Sequence, residues 1–557
     1  MPGLIAHDDS GRKRKRIDDV PNVNGVKSRK APKTTTYGDD TQSRIVELEQ
    51  QILGSREHYN NIVELQSLLA TAEKKPKTAT LAAVSLCRVF CRLIAGEELV
   101  KQKKVTEAEI QILHWLKARL RDYVDSVLAW IGSPDATQES TALTLLMRIV
   151  KEEVSQGAKR SEQAWRTEKS TFCLLVSFLL GKNNAESARQ EFVERFVEEH
   201  DDVRFHTFLA VKQYFASSVE VQQEEDVIGN AINLFSGIEG VPESEDQLED
   251  WYGEPPIEGH QVRSLHTQRK IAQEAWLAVF RSALTRDHRK AILAITTSQV
   301  LPWFATRIEL LTDFLTDSFN EGGSLALLAL SGIFHLMTQK NLDYPDFYTK
   351  LYSLLNQDIL HSKYRSRFFR LFDTFMSSSH LPAAMVASFI KRLSRLALHA
   401  PPGAIVWIVP WTYNTLKQHP ACTFMLHRPY HPAHAIYHRH TDYKDSGMDD
   451  PFDMRQPDPM HTHAIDSSLW ELETLQAHYH PNVATLARIL SEQFTKREYQ
   501  LEDFLDHSYQ GLIEAELGKE LKKAPVVEWE IPKRIVTGED GGLNGLGVLL
   551  QAAVGIA

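Results

Sequence analysis

Five histidines crowd one short stretch of the chain, His427, His431, His434, His438 and His440, and imidazole at that density is the raw material of a transition-metal site. Two prolines argue against it. Pro429 and Pro432 interrupt the helix that would bring the rings to one face, and no neighbouring cysteine or HExxH motif supplies further ligands. The stretch reads as a polar loop. Cys87 and Cys91 stand four residues apart on one helix face, which suits two small buried hydrophobes better than a zinc pair of CxxC type. Gly542-Leu-Asn-Gly-Leu-Gly547 clusters glycines at the wrong spacing for a phosphate loop and follows no strand. Neither a Walker-type loop nor a nucleophile elbow occurs. These residues form no catalytic constellation, so the sequence predicts a protein that is not an enzyme and carries no cofactor or metal.

Charge points to binding instead. Lys363, Arg367 and Arg370 recur at i, i+4 and i+7, beside an apolar stripe, and Lys391, Arg392 and Arg395 occupy the corresponding polar face one helix later. Were the two helices an antiparallel hairpin, these six would meet as a basic patch for phosphates or an acidic partner segment. The same residues also fit a solvated face whose aliphatic stems cover apolar neighbours. Near the N-terminus, Arg12, Lys13, Arg14, Lys15 and Arg16 are followed by Lys27, Arg29 and Lys30, the two-cluster form of a nuclear-import signal.

The elements that must position the six cations run from Asn341 to Pro402. Tyr344, Phe347, Tyr348, Leu351, Tyr352 and Leu355 make one apolar stripe at helical spacing. Tyr364, Phe368, Leu371, Phe372, Phe375 and Met376 make a second; Val386, Phe389, Ile390, Leu393, Leu396 and Ala397 make a third. Pro345 and Pro382 suit first helical turns. Three short aromatic-rich helices are expected to pack side by side. The apolar run Ala404–Tyr413, broken by Pro410, fits a buried core helix rather than a membrane span.

Composition agrees with a soluble interaction protein. The net charge of −10 conceals an asymmetry: residues 1–33 hold nine Lys/Arg and four Asp/Glu, a net of +5, leaving −15 for the remainder. A body that acidic is not a general nucleic-acid binder, so any RNA contact is local or shared with a partner. Four cysteines in 557 residues suit a reducing compartment, and no N-terminal apolar signal is present.

In order, residues 1–43 read as a disordered basic tail, and 44–236 as N-terminal helical repeats. The acidic Gly/Pro stretch 237–262 reads as a linker or long surface loop, and 263–426 as a second helical domain. A His/Pro-rich loop at 427–466 precedes C-terminal helices at 467–523, and 524–557 is an extended tail. Ser468-Leu-Trp-Glu471 has the capping-box pattern. Long helices are expected at 162–180 and 302–317, and Leu501, Phe504, Leu505, Tyr509, Leu512 and Ile513 make the last apolar stripe. Helices of 12–20 residues, paired near a 40-residue period, predict an all-α fold, an irregular HEAT-like α-solenoid. A helical bundle is the competing arrangement.

The runs Asn341-Leu-Asp-Tyr-Pro-Asp-Phe-Tyr-Thr-Lys-Leu-Tyr-Ser-Leu-Leu, Lys363-Tyr-Arg-Ser-Arg-Phe-Phe-Arg-Leu-Phe and Ser379-His-Leu-Pro resemble the CCAAT-binding-factor family. Ser467-Ser-Leu-Trp-Glu-Leu-Glu-Thr-Leu-Gln-Ala-His-Tyr-His-Pro-Asn-Val-Ala and Leu501-Glu-Asp-Phe-Leu-Asp-His-Ser-Tyr resemble its members in small-subunit ribosome biogenesis. The likeness covers roughly Ser324 to Pro532, and Gly538–Ala557 departs from it. It implies a non-catalytic scaffold in the nucleus and nucleolus that pairs with nucleolar protein 14, joins the small-subunit processome, and supports pre-rRNA processing and subunit export. Pre-ribosomal RNA would be met directly or through partners, and the partner-binding module would lie near residues 325–420. A nuclear transport or transcription adaptor on the same scaffold is the alternative.

Overall fold

The structure is a computed structural model, and it describes residues 38–72, 74–100, 106–156, 161–181, 184–217, 221–340, 344, 346–427 and 449–518. The basic clusters at 12–30, His431, His434, His438, His440, Pro345 and the tail from residue 519 lie outside the described residues. No strand occurs among the described residues, and the chain divides into two compact units, Met1–Ala283 and Leu284–Ala557.

The first unit opens with α1 (Gly38–Gly54), α2 (Asn61–Leu69) and α3 (Pro76–Ala95). Ile45, Leu48, Ile52, Ile62 and Leu65 meet Leu86, Val89 and Phe90, all buried. α3 has the length and apolar composition of a membrane span, yet its buried face is the core of this unit. Cys87 and Cys91 sit there 3.9 Å apart, and the Cys87 thiol points at the Leu145 carbonyl of α5 (Ala136–Ser155). Between them runs α4 (Glu107–Leu128), opened by a complete capping box of Thr106 and Glu109.

α6 (Ser161–Arg166) and α7 (Thr171–Gly181) replace the single helix expected over 162–180. The break at 167–170 lets Ser170 Oγ accept the Cys173 amide, a local bond that competes with helix continuation. α8 (Glu186–Phe192), α9 (Asp201–Ser217), α10 (Glu225–Ser236) and α11 (Leu265–Phe280) complete the unit around Phe192, Phe205, Phe208, Phe215 and Trp276.

Residues 237–262 do not separate the two units; they form a strap packed within the first. Ile238, Leu248 and Val262 are buried. The carboxylate of Asp202, at the start of α9, accepts the amides of Tyr252 at 3.0 Å and Gly253 at 3.0 Å, while Asp201 accepts that of Asp250 at 3.2 Å. Backbone donors that a loop leaves to water are here satisfied by two carboxylates at a helix N-terminus, a favourable place for negative charge.

The second unit begins with α12 (Arg286–Ile295), α13 (Thr312–Asn320) and α14 (Gly323–Lys340). The helix expected over 302–317 is irregular up to the short turn Ile308–Leu311, where buried Trp303 and Phe304 are placed by packing. The three expected aromatic stripes fold as α15 (Phe347–Leu354), α17 (Arg365–Met376) and α18 (Ala383–Ala397), with α16 (Gln357–His361) between the first two. Against them lies α19 (Pro402–Gln418), nearly all of it buried despite Pro410 within it. Phe369 stacks on Trp407 with centroids 4.0 Å apart, and Phe372 meets both Phe389 at 5.6 Å and Trp411 at 5.1 Å. Three short helices, α20 (Trp470–Thr474), α21 (Pro481–Ala487) and α22 (Tyr509–Leu517), finish the described chain.

Candidate interaction module and its charged seam

The amphipathicity of α18 decides where its cations go. Val386, Phe389, Ile390 and Leu393 face the aromatic core, and the opposite face presents Ser388, Lys391, Arg392 and Arg395. That second face is largely covered, with Lys391 buried and Arg392 and Arg395 half-buried. Residues 450–471 lie along it as a strap, joined by a row of polar contacts.

At the upper end Ser388 Oγ lies 2.5 Å from both the Pro459 carbonyl and Thr462 Oγ1. Arg392 donates to the carbonyls of Leu355 at 2.7 Å and Met454 at 3.2 Å, with its guanidinium 4.4 Å from the centre of the Tyr352 ring. The middle is a closed charge cluster. Lys391 Nζ, wholly buried, reaches Glu471 at 2.7 Å, Asp450 at 2.9 Å and the Ser468 carbonyl at 2.6 Å. Arg395 donates to Glu471 through Nε at 2.8 Å and to Asp450 through Nη2 at 2.6 Å. Two cations and two carboxylates leave the cluster without net charge. The indole of Trp470 closes it, donating to Asp450 at 3.0 Å and lying 4.8 Å from the Arg395 guanidinium.

Burial alone would push the Asp450 carboxyl up, but hydrogen bonds from Ser467, Lys391, Trp470 and the Phe452 amide outweigh it and bring its pKa down to about 2. Elsewhere burial dominates: the Asp373 carboxyl on α17 is pushed up to about 6.

Lys391, Arg392 and Arg395, three of the six candidate patch residues, are used in these internal contacts. On α17, Arg367 donates to Ser331 of α14 at 2.8 Å, and Arg370 pairs with Glu502 at 2.9 Å. Lys363 lies 5.0 Å from the Tyr364 ring centre. The expected capping box at Ser468 does not form: Leu469 takes the N-cap position with no side-chain cap bond, and Glu471 pairs with Lys391 and Arg395.

A second part of the seam was invisible in the sequence. Asn414 of α19 exchanges two 2.8 Å hydrogen bonds with the backbone of Tyr499, and Tyr413 donates to the Lys496 carbonyl at 2.9 Å. Ser366 and Arg365 then hold the carbonyls of Leu505 and His507. The C-terminal segment is thus fastened to α17, α18 and α19 by side chains clasping backbone. Its geometry supplies rigidity; among the described residues no group of three or more His, Cys, Asp and Glu is placed to hold a metal ion.

Two family models match the chain: nucleolar complex protein 4-like TPR repeats over residues 34–220, and the CBF/Mak21 family over residues 326–487. The chain is 33% identical to nucleolar complex protein 4 of Saccharomyces cerevisiae over 531 residues, covering 88% of this chain and 94% of that protein. The chain belongs to the nucleolar complex protein 4 family. The human homologue of nucleolar complex protein 4 is 32% identical over 509 residues, with 88% and 95% covered, and an uncharacterized Schizosaccharomyces pombe protein is 38% identical over 498 residues, with 87% and 97% covered. Membership makes this a nucleolar protein of ribosome biogenesis. The α-solenoid reading stands, although the family describes its N-terminal helix pairs as TPR repeats where the spacing suggested HEAT-like ones. The CBF/Mak21 match spans the aromatic helices, α19 and the strap that carries Asp450 and Glu471.

Proposed function

We propose that this chain is a non-catalytic scaffold of small-subunit assembly, acting within the small-subunit processome as the partner of nucleolar protein 14. In that role it supports pre-rRNA processing and subunit export. The observation that carries the reading is the match to nucleolar complex protein 4 relatives along nearly all of both chains. The seam adds a physical reason: a scaffold must hold one shape while partners pull on it, and buried bonds between distant segments restrict local opening. The clusters Arg12–Arg16 and Lys27–Lys30 would bring the chain into the nucleus. We further propose the module near residues 325–420 as the partner-binding region, with residues 467–518 acting as its brace. Pre-ribosomal RNA is met through partners or at local sites, as the acidic body requires.

Depletion of the protein, followed by blots of small-subunit rRNA precursors, tests this. Accumulated precursors and loss of nucleolar protein 14 from the particle are expected. Normal small-subunit rRNA maturation after depletion would refute the role.

A further inference from the structure

α22 is anomalous as a helix. It has nine residues, includes Gly511, and buries none of them. Isolated helices shorter than about 12–15 residues are marginal in water, and an internal glycine lowers their stability further. Yet Tyr509, Ile513 and Leu517 recur every four residues as one stripe, with exposures of 50%, 57% and 82%. The expected last apolar stripe therefore exists, but among the described residues only Leu505 of it enters the core. The root of α22 is firm. Arg365 grips the His507 carbonyl at 2.9 Å, and Tyr509 Oη lies 2.7 Å from His361 Nδ1. His361 also borders an open groove of about 430 Å³ lined by Leu327, Leu354 and Ile359, so groove and stripe adjoin.

We propose that the chain's own segment Val526–Ile531 covers the stripe of α22 and completes the second unit. Its sequence alternates, with Val527, Trp529 and Ile531 on one side and Glu528 and Glu530 on the other. In extended form Val527 to Ile531 spans about 13 Å. The stripe from Tyr509 to Leu517 spans about 12 Å along its helix, so three apolar side chains meet three. The intervening Gly518–Pro525 has the length of a compact reversing loop. Charge agrees at both ends. Lys522 and Lys523 precede the segment and would return past Glu514, while Lys533 and Arg534 follow it and would reach the exposed Asp503 and Asp506.

The test is amide hydrogen exchange on the purified full chain at two protein concentrations, with the core amides of α17 and α19 as an internal reference for folding. The wild type is expected to protect residues 513–518, and Trp529→Ala to speed their exchange about tenfold while the reference is unchanged. Ile513→Asp is expected to do the same, and carbodiimide is expected to link Asp503 or Asp506 to Lys533 in the wild type only. Fast exchange in the wild type would overturn the proposal. So would protection that Trp529→Ala leaves intact, that appears only at the higher concentration (a second copy as cover), or that needs an added partner protein.

Discussion

Glu471→Ala isolates the seam. Lys391 and Glu471 are both fully buried and 2.7 Å apart. Removing one member of such a pair typically costs about 3–5 kcal/mol, mainly because the remaining charge is stranded in a poor dielectric. Lys391 would keep Asp450 at 2.9 Å and the Ser468 carbonyl at 2.6 Å, and Arg395 would keep Asp450, so the loss should fall near the lower figure, about 3 kcal/mol. For a unit of this size each kcal/mol moves the midpoint by about 2–4 °C, giving a drop of about 6–12 °C. Thermal unfolding followed by circular dichroism and tryptophan fluorescence reads this directly, since Trp407, Trp411 and Trp470 flank the seam. Lys391→Met with Glu471→Leu should recover much of the loss, because a well-packed apolar pair replaces a desolvated ionic one. A Glu471→Ala protein that melts within about 2 °C of wild type but binds partner or RNA less well would refute the reasoning. It would return Lys391 and Arg395 to the surface patch.

Other expectations follow from single contacts. Phe369→Ala should lose about 3–5 kcal/mol in denaturant titration, since the ring is fully buried and stacked on Trp407. Asp202→Ala should release the strap, seen as faster hydrogen exchange at the Tyr252 and Gly253 amides with the α3 core unaffected. Gly403→Ala should loosen residues 505–509, because a Cβ there would stand 2.5 Å from the His507 carbonyl oxygen; exchange in α22 and the melting point should both report it. Acid should weaken the seam in a defined window. Asp450 is depressed to about 2 when folded, so its contribution is full above the unfolded carboxylate pKa near 4 and is lost as pH falls through about 2. Asp450→Asn should flatten stability against pH in that interval.

How far the sequence could be read depended on the separation of the residues involved. The stripes of α15, α17 and α18 were legible because burial at period 3.6 is a local pattern, and Phe368, Phe372, Phe389 and Ile390 are all buried. Phe369 was missed because it lies beside the stripe, and only α19 crossing that flank explains its burial. The contacts of the α18 cations were hidden for a similar reason. Lys391 and Glu471 are 80 residues apart, and nothing in the α18 periodicity announces a carboxylate arriving from so far away. Glu471 itself was read as a capping residue, a local role that a buried cation overrode. The strap at 237–262 read as a linker or long surface loop because glycine, proline and acidic residues favour loops. Its fastening depends on Asp201 and Asp202, some 50 residues earlier. One signal was available: two adjacent aspartates open a helix that carries Val203, Phe205, Phe208 and Val211, and carboxylates beside such a core are expensive to bury unless something donates to them.

The proposed scaffold role is tested most directly by affinity purification with crosslinking mass spectrometry. It predicts recovery of pre-ribosomal RNA and nucleolar protein 14, partner crosslinks concentrated near residues 325–420, and internal links joining 449–477 to α18. Recovery of the chain with transport or transcription proteins and without pre-ribosomal RNA would contradict it.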